Sequence, residues 1–238
     1  MRNVSPVVQR ELGAYFYSPV AYAVLTIFLV ISGIFFLILT FSPGAESSLR
    51  DFVDVLPVIL LVFLPTLTMR LLSEEFRSGT IETLMTAPLG ETEVILGKFL
   101  GALIFYFVML GSTLLYAVLL GIFGQVDVGL LLSTYLGLIL LGALYIAVGV
   151  FFSACTKNQI IAAIFSVIVL LVFTYLANYL AGKATGLLGL CLHHLSIREH
   201  YQDFTRGLVD SNHLIFFVTT TCLFLFLAVK VLESRRWR

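Results

Sequence analysis

The charged residues between Glu74 and Lys98 are the first candidates for chemistry, because they interrupt a chain that is 60% hydrophobic and only 12% charged. A phosphate-binding loop needs two glycines with four residues between them, followed by Lys and then Ser or Thr, so that backbone amides surround the phosphates. Gly90 and Gly97 have six residues between them, and Phe99 stands where that hydroxyl should be. We therefore expect no nucleotide site in this chain, and any motor would be a separate polypeptide.

Two other kinds of catalytic site, a serine–histidine site and a zinc site, are excluded by the positions of the residues they would need. Ser112 lies within an apolar stretch and would need a histidine at a similar depth as its general base. All four histidines instead lie in or beside one later loop; they are His193, His194, His200 and His213. Their spacing does not match the H-E-x-x-H pattern of zinc enzymes. We expect neither a catalytic residue nor a metal site, and hence no enzyme.

Long apolar stretches must position the charged segment. The uncharged runs are 12–45, 55–69, 99–126, 128–156, 158–182 and 211–229. A helix needs about 20 apolar residues to cross a bilayer, so five runs suffice unaided. The second contains Pro57 and Pro65; we extend it to 53–72, with a bent or partly re-entrant span as the alternative. The sequence predicts an all-α polytopic membrane protein with six transmembrane helices and a single transmembrane domain, 1–238.

The cations predict the orientation. With six crossings and the N-terminus inside, ten of the 14 Lys and Arg residues fall on the cytoplasmic side and four outside. This bias predicts that both termini are cytoplasmic. The formal net charge of zero does not suggest a nucleic-acid partner.

Two amphipathic segments flank the spans. Within residues 1–19 we predict an interfacial helix over 6–17, capped by Ser5, with Arg10 and Glu11 off its apolar stripe; a simple flank to the first span is the alternative. The outer loop, 182–212, is predicted to dip into the membrane and then form a helix over 197–206. Ser196 and Glu199 have capping-box spacing, and Gly207 would end that helix.

The cytoplasmic loop, 73–97, is predicted to be held in water by its charges. Gly79 would interrupt the helix that leaves the second span, and Thr80 would cap a new one. A short helix there can dock onto a soluble partner, but an ordinary solvated loop fits the same residues.

The motifs of this loop resemble those of ABC type 2 exporter permeases. The resemblance is carried by Glu74-Glu75-Phe76-Arg77-Ser78-Gly79-Thr80-Ile81-Glu82-Thr83-Leu84, Pro88-Leu89 and Gly97-Lys98-Phe99. Motifs near both ends of the chain resemble the gliding-motility-associated branch: Arg10-Glu11-Leu12, Tyr15-Phe16, Ser18-Pro19, Ala21-Tyr22, Ser196, His200, Phe204, Arg206-Gly207, Asp210 and Arg235-Arg236.

The resemblance implies a permease subunit in the bacterial inner membrane, exporting substrate with ATP and Mg²⁺ bound by partner ATPase subunits. It implies docking of the ATPase on a coupling helix formed by Glu74, Glu75, Phe76, Arg77, Gly79, Thr80, Ile81, Glu82 and Leu84. The other expected partners are a second permease copy or a homologous permease, the lipid bilayer, and an accessory membrane or periplasmic protein. A mechanotransmission or extraction complex and a motor-free scaffold are the alternatives.

Polar residues near the outer end of the fifth span form a second candidate site. Phe165, Phe173, Thr174, Tyr175 and Asn178 would line a substrate route or a dimer contact, since buried polar atoms need partners. Anchoring of tyrosine at the membrane interface is an equal alternative. The spans lack deep ionisable residues, which disfavours ion-coupled transport and favours a lipid-like or amphipathic cargo.

Overall fold

The computed structural model describes residues 4–40, 49–81, 90–123, 127–183 and 186–236, and regular structure within these ranges is helical. The helices are α1 (Val4–Phe16), α2 (Pro19–Thr40), α3 (Leu49–Thr68), α4 (Arg70–Ser78), α5 (Glu91–Phe123), α6 (Val128–Cys155), α7 (Gln159–Leu171), α8 (Ala177–Ala181), α9 (Leu187–Leu195), α10 (Ile197–Thr205) and α11 (Ser211–Arg236). A π-helical turn, Val172–Leu176, joins α7 to α8. Glu82 and Leu84 of the predicted coupling helix lie outside the described residues.

The prediction of six spans is confirmed. Helices long and apolar enough to cross a membrane cover Pro19–Thr40, Asp51–Ser78, Glu91–Ile122, Val128–Cys155, Gln159–Ala181 and Ser211–Arg235. We call the end that holds α1 and α4 the inner end, and the opposite end the outer end, following the orientation predicted from the cations.

The second span is helical despite its two prolines, and at Pro57 another element supplies the hydrogen bond that proline cannot make. Pro57 has no N–H to donate to the carbonyl of Val53, four residues earlier. The hydroxyl of Tyr201 in α10 donates to that carbonyl instead, at 3.1 Å. Inside a membrane bundle, a backbone carbonyl that lacks its helical hydrogen bond needs another donor. With α4, the span is 28 residues long.

Helix α6 lies at the centre of the bundle, and three of its glycines admit side chains from other helices. A Cβ atom at Gly137, Gly142 or Gly149 would stand less than 3 Å from Phe204, Tyr106 or Thr68 respectively. Such close approach is typical of membrane helices that pack through small residues. These three glycines thus set the depth of α3, α5 and α10 against α6.

At the outer end, α10 matches the predicted helix to within one residue. Gly207, at φ +82°, ends it as predicted. The predicted capping box is wrong: the Ser196 hydroxyl is buried without a hydrogen-bond partner among the described residues. Glu199 contacts His193 Nδ1 instead of the backbone that it would cap.

Candidate functional site

The inner ends of four spans and helix α1 meet in one joint, which we call the inner joint. Helix α1 lies on a groove of α5 made by Gly97 and Gly101. A Cβ at Gly97 would stand 2.7 Å from Val7 Cβ, and one at Gly101 would stand 2.8 Å from Glu11 Cβ. The two glycines therefore place the backbone of α1 directly against the third span.

A buried ion cluster holds α1 in this groove. Lys98 Nζ lies 2.9 Å from both Glu11 Oε1 and Glu75 Oε1, and the Lys98 side chain is only 1% exposed. Arg10 also contacts Glu11, at 2.9 Å, and Glu75, at 2.5 Å. Buried charges are tolerated only when paired, so this cluster fixes α1, α4 and α5 relative to one another.

The cluster corrects two sequence predictions. Glu11 does not lie off the buried face of α1, because its side chain is among the buried residues of that helix together with Val7 and Tyr15. The loop charges are not all held in water, because Lys98 is buried and the Glu75 side chain is only 15% exposed. Helix α1 also begins at Val4, so Ser5 lies inside the helix and not at its cap.

A cavity of about 350 Å³ adjoins the cluster, and its lining includes Arg70, Glu74 and Glu75. Glu75 Oε2 is buried and has no hydrogen-bond partner among the described residues. The Tyr15 hydroxyl, on the same cavity, donates to the carbonyl of Leu67 at 3.3 Å. Burial raises the pKa of Tyr15, so this phenol stays neutral.

A break at Met69 separates α3 from α4, and a serine from another helix stabilises it. The backbone N–H groups of Leu72 and Ser73 donate to Ser153 Oγ at 3.0 and 3.1 Å. Ser153 Oγ in turn donates to the Met69 carbonyl at 3.0 Å. The first N–H groups of a helix have no partner within it, so Ser153 of α6 acts as an N-cap supplied by a neighbouring span.

The last span closes the joint from the other side. The Arg235 guanidinium lies 4.3 Å from the ring centroid of Phe76 and donates to the Cys155 carbonyl at 2.6 Å. A cation at the carboxyl end of α6 is favoured by the partial negative charge there. One side chain of α11 thus links α4 to α6.

The predicted coupling residues fall on two sides of α4. Glu74, Arg77, Gly79 and Thr80 are exposed; Glu75 and Phe76 point into the joint, and Ile81 is half-buried. Gly79, at φ +75°, ends α4 as predicted. The exposed residues carry both charge signs, while the buried ones connect the same helix to the spans.

The predicted fifth-span residues differ in exposure and in their contacts. Thr174 is buried, and its hydroxyl lies 3.2 Å from the Tyr145 hydroxyl. Phe165 is 52% exposed and stacks on Phe152, while the Tyr175 ring lies 5.4 Å from the Arg198 guanidinium. Phe173 and Asn178 are half-buried. The π-helical turn contains Phe173, Thr174 and Tyr175, and such turns are frequent at functional sites.

Several residues of the inner joint were not predicted as functional: Glu11, Lys98, Ser153 and Arg235. For Lys98 a signal was present, because it directly follows the first glycine of the Gly97–Gly101 pair. A cation beside a close helix contact needs a carboxylate on the other helix, and Glu11 is the only acidic residue in the first 45. A lone Ser153 in an apolar run gives no such signal.

Comparison with known proteins identifies the family. No curated protein sequence matches the chain. The family described as ABC-2 family transporter protein matches residues 44–181, which include the second span, α4, α5, α6 and the fifth span. Because the match covers more than half of the 238 residues, this chain belongs to the ABC-2 transporter family.

Proposed function

We propose that this permease subunit moves substrate outward, using ATP that is hydrolysed by separate ATPase subunits docked on its inner end. The observation that supports this most directly is the geometry of α4. This helix forms the inner end of the second span, exposes Glu74 and Arg77, and turns Glu75 and Phe76 into the inner joint. A partner on the exposed face would therefore act on several spans at once.

Four side chains would transmit displacement of α4. Glu75 connects α4 to α5 through Lys98, and Lys98 connects to α1 through Glu11. Ser153 connects the start of α4 to α6, and Arg235 connects Phe76 to α11. An ATPase drives such a change only if it binds the two positions of α4 with different affinity. Closure of the ATPases around ATP is our proposed source of that difference.

The complex would contain two permeases, identical or homologous, and two ATPase subunits that bind ATP and Mg²⁺. We place it in the bacterial inner membrane with both termini cytoplasmic. The narrower resemblance to the gliding-motility-associated branch rests on motifs at both ends of the chain, mostly outside residues 44–181, and stays a prediction. The fifth-span residues Phe165, Phe173, Thr174, Tyr175 and Asn178 remain a proposed substrate route or dimer contact, and an accessory outer protein a proposed partner.

The test combines co-purification with a coupling assay. The permease is extracted in mild detergent and its companions are identified by mass spectrometry; we expect an ABC ATPase. Replacing Ile81 and Leu84 with Asp should then abolish coupling between ATP hydrolysis and substrate movement in vesicles, because charge replaces apolar docking contacts. Leu208→Asp is the matched control, since Leu208 is an exposed leucine at the outer end.

Two outcomes would contradict the proposal. Full coupled activity and assembly of the Ile81→Asp, Leu84→Asp variant would show that the docking surface is elsewhere. ATPase activity that no candidate substrate stimulates, in a complex that assembles normally, would favour mechanotransmission or extraction over export.

A further inference from the structure

A cluster of histidines at the outer end takes no part in the proposed coupling. It connects three elements: the carboxyl end of α9, helix α10 and the start of α11. His200 of α10 lies between His194 of α9 and His213 of α11, beside a cavity of about 740 Å³. Asp203 of α10 completes the arrangement.

Three polar contacts run through the two imidazole rings of His200 and His213. His200 Nε2 lies 3.2 Å from the His194 carbonyl oxygen, and His200 Nδ1 lies 2.6 Å from His213 Nδ1. His213 Nε2 lies 2.7 Å from Asp203 Oδ2. Each contact lies within hydrogen-bond distance, so a hydrogen between its two atoms would satisfy it.

The three contacts need more protons than two neutral rings supply. A neutral imidazole has one N–H, so the pair offers two hydrogens. The backbone carbonyl of His194 and an ionised Asp203 can only accept. If His213 donates to Asp203 and accepts from His200, then His200 Nε2 has no hydrogen and faces the His194 carbonyl lone pair to lone pair. One additional proton satisfies all three contacts.

We propose that His200 and His213 together hold this additional proton, and that it fastens α9 and α11 to α10. The site is a proton-binding site on the outer face, and the three helix ends form its closed state. Loss of the proton must break one contact. The contact to the His194 carbonyl is the longest and has an uncharged acceptor, so α9 is the element that is released.

Two features beside the rings favour the extra charge. The Phe216 ring stacks on His200 with centroids 3.9 Å apart, and an aromatic face attracts a cation. His200 Nε2 also points at the carboxyl end of α9, where the unpaired carbonyls have partial negative charge. Asp203 supplies the balancing carboxylate. Two ring nitrogens bound to one zinc at about 2.1 Å would stand farther apart than 2.6 Å, so this pair is arranged for a proton.

The other titratable and charged groups around His200 and His213 line the same cavity, and some of them form ion pairs. They are His193 and His194 on α9, Glu199 on α10, Arg206 directly after α10, and Asp210 before α11. Glu199 contacts His193, and Arg206 lies 3.4 Å from Asp203. The pKa of His200 is lowered, chiefly by burial and also by the neighbouring imidazoles of His213 and His194, while the hydrogen bond to the His194 backbone and the charge of Glu199 oppose this shift. A lowered pKa by itself predicts that acid opens the cluster, whereas the three contacts predict that acid closes it, so the direction of the pH response tests the proposal.

The first experiment counts the protons. The double variant His193→Gln, His194→Gln leaves His200 and His213 as the chain's two histidines and keeps the backbone carbonyl of residue 194. Its ¹⁵N-histidine spectrum is recorded in lipid nanodiscs at about pH 5.5 and about pH 8, either side of the ordinary histidine pKa of about 6.5. We expect three protonated ring nitrogens at the lower pH and two at the higher. Two protonated ring nitrogens at both pH values would overturn the proposal.

The second experiment measures closure. With Cys155 and Cys222 changed to Ser, spin labels are attached at Cys191, which is an exposed free thiol on α9, and at a cysteine replacing the exposed Ser211 of α11. A narrow label-to-label distance distribution should broaden between about pH 5.5 and about pH 8 in the unmodified cluster. Broadening on acidification instead would overturn the proposal.

The Asp203→Asn variant distinguishes the proposed proton-binding site from a simple ion pair between His213 and Asp203. The Asn amide can donate to His213 Nε2, so His213 donates to His200 and His200 donates to the His194 carbonyl, with no additional proton. We therefore expect Asp203→Asn to remain closed at both pH values, with loss of the pH response. A simple His213–Asp203 ion pair would instead be broken by this change, and an open cluster at both pH values would contradict the proposal.

Discussion

The inner and outer ends of the bundle each fasten a short helix to a glycine-bearing span, but by different interactions. At the inner end, α1 lies on Gly97 and Gly101 of α5 and is held by the fully buried Lys98. At the outer end, α10 lies on Gly137 of α6 through Phe204, whose carbonyl accepts hydrogen bonds from Ser133, at 2.8 Å, and Thr134, at 3.3 Å. The outer contact on α6 is apolar packing with neutral hydrogen bonds, whereas the inner contact is ionic.

This difference indicates different roles. A buried ion cluster is stable only in the arrangement that pairs every charge, so the inner joint should resist gradual deformation and change as a unit. Neutral packing tolerates small shifts at lower cost. The inner end is thus suited to transmit a displacement, and the outer end to hold α10 in place against α6.

The largest expected effect comes from Lys98→Met. Removing the cation leaves the carboxylates of Glu11 and Glu75 with Arg10 as their remaining partner in the cluster, and breaking a buried ion pair costs about 3–5 kcal/mol. The free energy of unfolding in detergent should fall by that amount, and α1 should become accessible to protease. Lys157→Met is the matched control, because Lys157 is an exposed lysine at the same end.

A double-mutant cycle sharpens this result. If the carboxylate of Glu75 is what Lys98 stabilises, Glu75→Gln should destabilise the unmodified protein more than it destabilises the Lys98→Met variant. Additive effects, or a Lys98→Met change no larger than that of Lys157→Met, would refute the ionic account of the inner joint.

A smaller effect is expected from Gly137→Ala at the outer end. The added Cβ would stand 2.7 Å from Phe204 Cβ, so α10 must move away from α6. Overpacking of this kind typically costs about 1–3 kcal/mol. Gly111→Ala is the control, because a Cβ there meets no atom within 4 Å. Equal unfolding free energies for the two variants would show that the glycine contact does not position α10.

The elements of the fold could be predicted because each depends on local composition. Uncharged runs locate the spans, and Gly79 and Gly207 mark the ends of α4 and α10, where the backbone is left-handed. The contacts between elements could not be predicted from the sequence. Glu11 was assigned to solvent because an acidic side chain on an amphipathic helix usually faces water, but its partner Lys98 lies 87 residues away in the sequence.

Predictions from local sequence patterns were also wrong where a tertiary contact replaced the expected local one. Ser196 and Glu199 have the spacing of a capping box, but Glu199 contacts His193, which no helix rule anticipates. Conversely, the N-cap of α4 is supplied from α6, so the residues just before α4 contain no sign of it. Such caps depend on packing and become visible only in three dimensions.

The smallest expected effect, from Ser153→Ala, tests whether α4 moves as part of the inner joint. The alanine removes the acceptor for the N–H groups of Leu72 and Ser73, and loss of an N-cap typically costs about 1 kcal/mol. Hydrogen exchange at these two amides should accelerate while the ion cluster around Lys98 stays intact. Ser166→Ala is the control, because Ser166 is also buried but bonds to the Ala162 carbonyl of its own helix. If the two amides keep their protection, α4 is held by the ion cluster alone. Loss of ATPase coupling in Ser153→Ala with an intact cluster would instead assign the transmission of force to the break at Met69.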